Sequence, residues 1–88
     1  MKRSELLALV GAIVTSMKDA GDDLGISLFP EPALQESLGY SDKQYAAIRL
    51  LLEEFQFAEH ADEHIWLTRA GLDMADKIRP LLSDPTLN

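Results

Sequence analysis

The side chains of this protein best suited to chemistry are two histidines, His60 and His64, set among Glu59, Asp62 and Glu63. Imidazole nitrogens and carboxylate oxygens are donors that a divalent cation accepts. Two nitrogens make a thin set, however, and a pair of exposed polar residues at the base of an acidic turn accounts for them without a metal. Histidine titrates near neutrality, but nothing in the spacing assigns either ring a proton-transfer role. The serines have no His–Asp partners, and the carboxylates show only the spacing of a charged surface. Gly11, Gly21, Gly25, Gly39 and Gly71 are scattered, not gathered into a phosphate-binding loop. The absence of cysteine excludes disulfides, thiolate metal sites and cysteine nucleophiles. The expectation is a non-enzymatic protein with no cofactor and no metal.

Trp66 offers a different kind of chemistry. Alternation along His64, Ile65, Trp66 and Leu67 puts Ile65 and Leu67 on one face of a strand and Trp66 on the other, with His64 and Thr68. If Ile65 and Leu67 face the core, Trp66 points outward, where tryptophan commonly anchors a protein interface. The alternative is that it folds onto the first helix as a rim of the core.

These residues must be positioned by a small frame. The chain has 88 residues, 47% of them hydrophobic and 26% charged, which suits one compact soluble domain and not a disordered one. Lys2 and Arg3 precede an apolar stretch, but Glu5 interrupts it and no small-residue cleavage site follows, so an unprocessed cytoplasmic protein is expected. No apolar run reaches the roughly 18 residues that a membrane span needs.

Ser4 is placed to cap a first helix over residues 4–20, with Leu6, Val10, Ile13, Val14 and Met17 along one face and Gly21 as its stop. Leu7 and Leu9 widen that face, so the helix is either packed on two sides within the domain or partly covered by a second chain. Residues 21–32 read as a connection in which Ile26, Leu28 and Phe29 form a short extended piece, with Pro30 and Pro32 stopping any strand. Pro32 then opens a short helix from about Ala33 to Leu38, closed by Gly39. Ser41 and Gln44 have the spacing of a capping box for a helix over 42–54, whose apolar face is Tyr45, Ile48, Leu52 and Phe55 with Leu51 alongside.

Beyond Phe57 the period changes to that of a strand, and the chain returns through His64 to Leu67 past a polar tip at Ala61, Asp62 and Glu63, which predicts a hairpin. Thr68 caps a final helix over 69–82, with Gly71, Ala75, Ile78 and Leu82 on one face, Met74 and Leu81 flanking it, and Pro80 placed to kink its last turn. The fold class expected is mainly α with a small β-hairpin: one domain over residues 1–82 and a frayed tail over 83–88.

That order, together with the run Leu50-Leu51-Leu52-Glu53-Glu54-Phe55-Gln56-Phe57 and the later Ile65-Trp66-Leu67-Thr68-Arg69-Ala70-Gly71, resembles the winged helix-turn-helix superfamily. The resemblance implies that the second and third helices form the helix-turn-helix pair and that the hairpin is the wing. Phe55 stands where the family commonly has glycine, so the turn into the wing must be built differently or the third helix must run longer.

A DNA-reading member of such a family needs cationic or amide side chains on the third helix and at the wing tip. Here the outer face of that helix is Lys43, Ala46, Ala47, Leu50 and Glu54, and residues 50–68 contain no Lys or Arg but five carboxylates, Glu53, Glu54, Glu59, Asp62 and Glu63. Eight basic against fifteen acidic residues give the whole chain a net charge of -7, which opposes nucleic acid and anionic membranes alike. Arg49 and Arg69 flank the region and are expected to pair with nearby carboxylates. The leading expectation is a regulator or adaptor that binds a protein partner of basic character, or imitates nucleic acid, through Ala47, Leu50, Glu59, Asp62, Glu63 and Trp66. A homodimer fits the wide first helix. The competing expectation is a dimeric DNA-binding transcription regulator, its second copy concentrating Lys2 and Arg3.

Overall fold

Val10, Ile13, Val14 and Met17, spaced along one helical face, are all buried and make the first helix the spine of the core. Burying such side chains is worth about 1.5–3 kcal/mol each before chain entropy offsets most of it. The computed structural model of the protein describes residues 2–83, and for residues 81–83 the backbone only. The elements are α1 (Arg3–Leu24), β1 (Phe29–Pro30), α2 (Glu31–Leu38), α3 (Asp42–Glu54), β2 (Ala58–Ala61), β3 (His64–Leu67) and α4 (Arg69–Ser83). The fold is thus mainly helical, with a three-stranded antiparallel sheet in the order β1-β3-β2. Phe29, Ile48, Leu52, Phe57, Ala58, Ile65 and Ala75 complete the buried cluster, and Leu7 and Leu9 pack against it from α1.

Helix α1 departs from expectation at both ends. Its cap position is Lys2, which makes no side-chain cap bond, and Ser4 lies inside the helix. Gly21 does not stop it: the helix continues to Leu24, and Gly25, at φ 69°, takes the left-handed conformation that ends it. Gly21 is glycine for a different reason. A Cβ there would lie 2.7 Å from the Ile26 carbonyl oxygen and 3.2 Å from the Phe29 ring.

In the connection the strand ends at Pro30 as expected, but Pro30 is itself its last residue, paired with His64. The sheet order explains the tolerance: β1 is an edge strand, where the N–H that proline lacks is not needed by a neighbour. Ile26 and Leu28 stay outside the sheet, and α2 begins at Glu31, ahead of Pro32.

Helix α3 starts where its capping box predicts, with Gln44 N–H donating to Ser41 Oγ at 3.2 Å and Ser41 N–H donating to Gln44 Oε1 at 2.9 Å. Its end resolves the question raised by Phe55. Phe55 stays right-handed as the C-cap, and Gln56, at φ 62°, takes the left-handed position one residue later. Phe57 N–H then donates to the Leu52 carbonyl at 2.8 Å and Gln56 N–H to that of Glu53 at 2.9 Å, the paired bonds of a Schellman ending. The rings of Phe55 and Phe57 stack beneath it with centroids 5.5 Å apart.

The hairpin forms where expected, but its tip is one residue shorter, because Ala61 belongs to the strand. Ala58 pairs with Leu67 and Ala61 with His64, leaving Asp62 and Glu63 as its two-residue loop. Both loop residues have positive φ, 52° and 62°, which is the type I′ geometry whose twist matches that of the strands. Thr68 Oγ1 accepts from Gly71 N–H at 3.1 Å and so caps α4. Helix α4 runs uninterrupted through Pro80 to Ser83, so Ser83 is helical and not tail. Residues 84–88 of the expected tail, and the side chains of Leu81 and Leu82, lie outside the described residues.

Two glycines press on different kinds of neighbour. A Cβ on Gly71 would collide with the backbone carbonyl of Phe57, whereas one on Gly11 would meet only the tip of the Ile78 side chain. Gly71→Ala should therefore cost about 2–3 kcal/mol or more. In Gly11→Ala the gain in helix propensity, about 1 kcal/mol, offsets the repacking of Ile78. Equilibrium denaturation of both variants checks the contrast. Gln56→Gly, which relieves a left-handed L-residue, should raise stability by about 0.5–1 kcal/mol in the same measurement.

Candidate functional site

Strand β2 is the outer strand of the hairpin, and a groove runs between it, the C-terminal turn of α3 and the first turn of α4. Its walls include Glu53 from α3 and Gln56 just beyond its end, Glu59 and His60 from β2, Trp66 from β3, and Thr68 and Arg69 at the start of α4. Strand register explains the arrangement. Glu59 faces Trp66 across the ladder, so carboxylate and indole share one side of the sheet, while His60 opposes the buried Ile65 on the other. Trp66 is half-buried and lies outside the apolar cluster that α1 organises.

His60 reaches from the hairpin to α3, its Nε2 lying 2.6 Å from Glu53 Oε1. That pair ties β2 to α3 at the groove wall. His64 turns the other way, its Nδ1 2.8 Å from the carbonyl of Asp62 within the hairpin loop. The two imidazoles thus have separate partners, and the arrangement favours hydrogen bonding over shared ligation.

The remaining expected residues are distributed more widely. Asp62 and Glu63 form the tip. Glu63 accepts from the Glu31 backbone N–H at 2.8 Å and lines a second groove with Ala46, Tyr45, Arg49 and Gln35. Leu50 and Ala47 are exposed on α3 and line neither groove. The structure therefore brings Trp66 and Glu59 together, places Glu63 against α2 and α3, and leaves Leu50 and Ala47 on an open helix face.

No family model, curated protein or solved structure matches the chain. The site must be argued from its own groups. Arg49 and Arg69, expected to serve carboxylates, do so: Arg49 Nη1 lies 3.2 Å from Glu31 Oε1, and Arg69 Nε lies 3.8 Å from Asp73 Oδ1 one turn along α4. Among the described residues no helix is long and apolar enough to cross a membrane.

Sequence reasoning missed Glu53 as a groove residue and Glu31 as the hub between α2 and α3. Tyr45, expected only as an apolar-face residue, donates its hydroxyl to Glu31 Oε1 at 3.0 Å, beside the Arg49 pair. Burial first, then the hydrogen bond to that carboxylate and its charge, hold the Tyr45 phenol well above its ordinary range, against the opposing effect of Arg49. The only clue in the sequence is a carboxylate at the first position of a short helix, which many surface helices share.

Because the phenol ionises less readily in the folded chain, the unfolded state loses its proton first as pH rises through about 10. The stability that this group contributes is complete below that pH and declines above it. Denaturant unfolding of wild type should show an alkaline decline that is smaller in Tyr45→Phe, which should also lose about 1–2 kcal/mol at neutral pH.

Proposed function

We propose that this chain is a small winged-helix domain that acts without catalysis, as a regulator or adaptor holding a protein partner against its wing. The fold part of the reading is supported by the element order and by the β1-β3-β2 sheet, in which α2 and α3 precede a hairpin that pairs with the short first strand. The functional part rests chiefly on one observation: Trp66, half-buried and outside the core, stands beside Glu59 in a groove walled by Glu53, within a segment lacking Lys and Arg between residues 50 and 68.

An aromatic surface bordered by charge is the common plan of a protein interface, an apolar centre with a polar rim. The carboxylates favour a partner with a basic surface, and a nucleic-acid-binding protein is one class that presents such a surface. The same carboxylates repel a phosphate backbone, which needs cations at the positions that a wing tip supplies. Here that tip is Asp62 and Glu63.

Affinity capture from the source cell with wild type, Trp66→Ala and the Asp62→Lys, Glu63→Lys pair tests the proposal. A partner retained by wild type should bind Trp66→Ala at least about 2 kcal/mol more weakly. With the reversed tip it should associate more slowly and with altered salt dependence. A gel shift of mixed-sequence duplex at micromolar protein and physiological salt would instead favour the DNA-binding regulator and overturn the proposal, as would a partner equally retained by both folded variants.

A further inference from the structure

A separate surface lies away from the wing, and it begins with the turn that ends α1. Four of the five large apolar side chains exposed among the described residues are Leu24, Ile26 and Leu28 in this turn and Leu72 on the facing part of α4, with 69%, 40%, 52% and 37% of their surfaces accessible. Single exposed hydrophobics are ordinary on a protein surface; a gathered set marks a contact surface. Ile26 and Leu72 stand at the mouth of a dimple of about 140 Å³ whose other apolar walls are Met17, Phe29 and Leu67. A cavity of roughly that volume accepts a benzene ring, so this one accommodates the end of a leucine or phenylalanine side chain.

The dimple is preformed. Ile26 N–H donates to the Gly21 carbonyl at 2.9 Å, Gly25 holds the left-handed turn, and the Ile26 carbonyl rests on Gly21 where no side chain fits. Little ordering is therefore needed on binding.

The charges around it choose the occupant. Lys18 lies 3.5 Å from both Asp22 and Asp76, so the one cation among the lining residues is already held by two carboxylates and the rim is left with an excess of negative charge. We propose that this dimple docks one apolar side chain carried on a basic segment of another protein. A second copy of this chain is the poorer fit. In a two-fold contact the same acidic rim would meet itself, between molecules that each carry a net charge of -7. The surface shares no lining residue with the wing groove, so it does not depend on the function assigned there.

The probe is a synthetic amphipathic peptide with a leucine stripe and lysines elsewhere, titrated into isotope-labelled protein and followed by amide chemical shifts, with a glutamate-for-lysine peptide as comparison. The lysine peptide should perturb residues 18–29, 67 and 72, independently of any shifts at the Trp66 groove, whose carboxylates also favour a basic partner; the glutamate peptide should not bind. Leu72→Asp should weaken binding about tenfold or more. Asp22→Lys with Asp76→Lys, at side chains 68% and 65% accessible and so replaceable without refolding the domain, should weaken it and reduce its salt dependence. Circular dichroism checks that each variant is folded. The proposal is overturned if the lysine peptide does not bind, if both peptides bind alike, if the shifts are confined to the Trp66 groove, or if both folded variants bind at the dimple as wild type does. Sedimentation showing a wild-type dimer that Leu72→Asp dissolves would also overturn it, assigning the dimple to a second copy.

Discussion

Everything after α3 depends on one close approach, the backbone of Gly71 lying against the carbonyl of Phe57. That contact closes the root of the hairpin. Thr68 completes it three times over, donating its N–H to the Phe57 carbonyl at 2.9 Å and its hydroxyl to the Gln56 carbonyl at 2.5 Å, and accepting the Gly71 N–H. The residues entering the hairpin and those leaving it are thus fastened at one point, and the same threonine launches α4. The left-handed Gln56 presents its carbonyl to this clasp, so strain at the end of α3 and capping of α4 belong to one arrangement. The groove beneath Trp66 inherits its shape from it, since Gln56, Thr68 and Arg69 are among its walls.

A second constraint is the allocation of scarce positive charge. Arg49 is turned to Glu31, Lys18 to Asp22 and Asp76, and Arg79 to Asp19 at 2.6 Å. Each exposed pair contributes little to stability alone, but together they keep these cations among their own carboxylates. The Glu31 cluster does more, because its carboxylate, only 12% accessible, takes both the arginine and the Tyr45 hydroxyl and so fixes the start of α2 against α3. The acidic character of the hairpin is then a matter of placement as well as composition.

How much of this was legible in the sequence follows from how local each cause is. The capping box at Ser41, the Thr68 cap, the four buried positions of α1 and the existence of the hairpin depend on neighbours within a few residues, and pattern alone located them, although Ala61, read as part of the tip, belongs to the strand. Gly21 misled, and Pro30 was read only in part, because their roles are set across the fold: one admits the Ile26 carbonyl and the Phe29 ring, and the other ends a strand whose edge position only the sheet order reveals. The expected contact surface was half legible for the same reason. Strand alternation brought Glu59 beside Trp66, but Leu50 and Glu63 share no groove with them, since a helix face and a hairpin tip are related only through tertiary packing.

Leu24, Ile26 and Leu28 sit at the end of α1 and in the turn after it, a segment that sequence reasoning treated as connection, yet a backbone hydrogen bond, a left-handed glycine and the close approach at Gly21 define its path. A small domain buries only a modest share of its apolar surface and has few large side chains to spare. Leaving three of them partly exposed around one turn, opposite Leu72, forgoes part of the burial energy that the core could have supplied, about 1 kcal/mol for each. The glycine at 21 keeps the turn close to α1, and that closeness holds Ile26 at the mouth of a dimple whose floor includes Met17 and Phe29 from the core itself. Pressure on this surface is consequently pressure on α1, against which α4, α3 and β3 pack, so a partner seated there would bind and stabilise the same folded state.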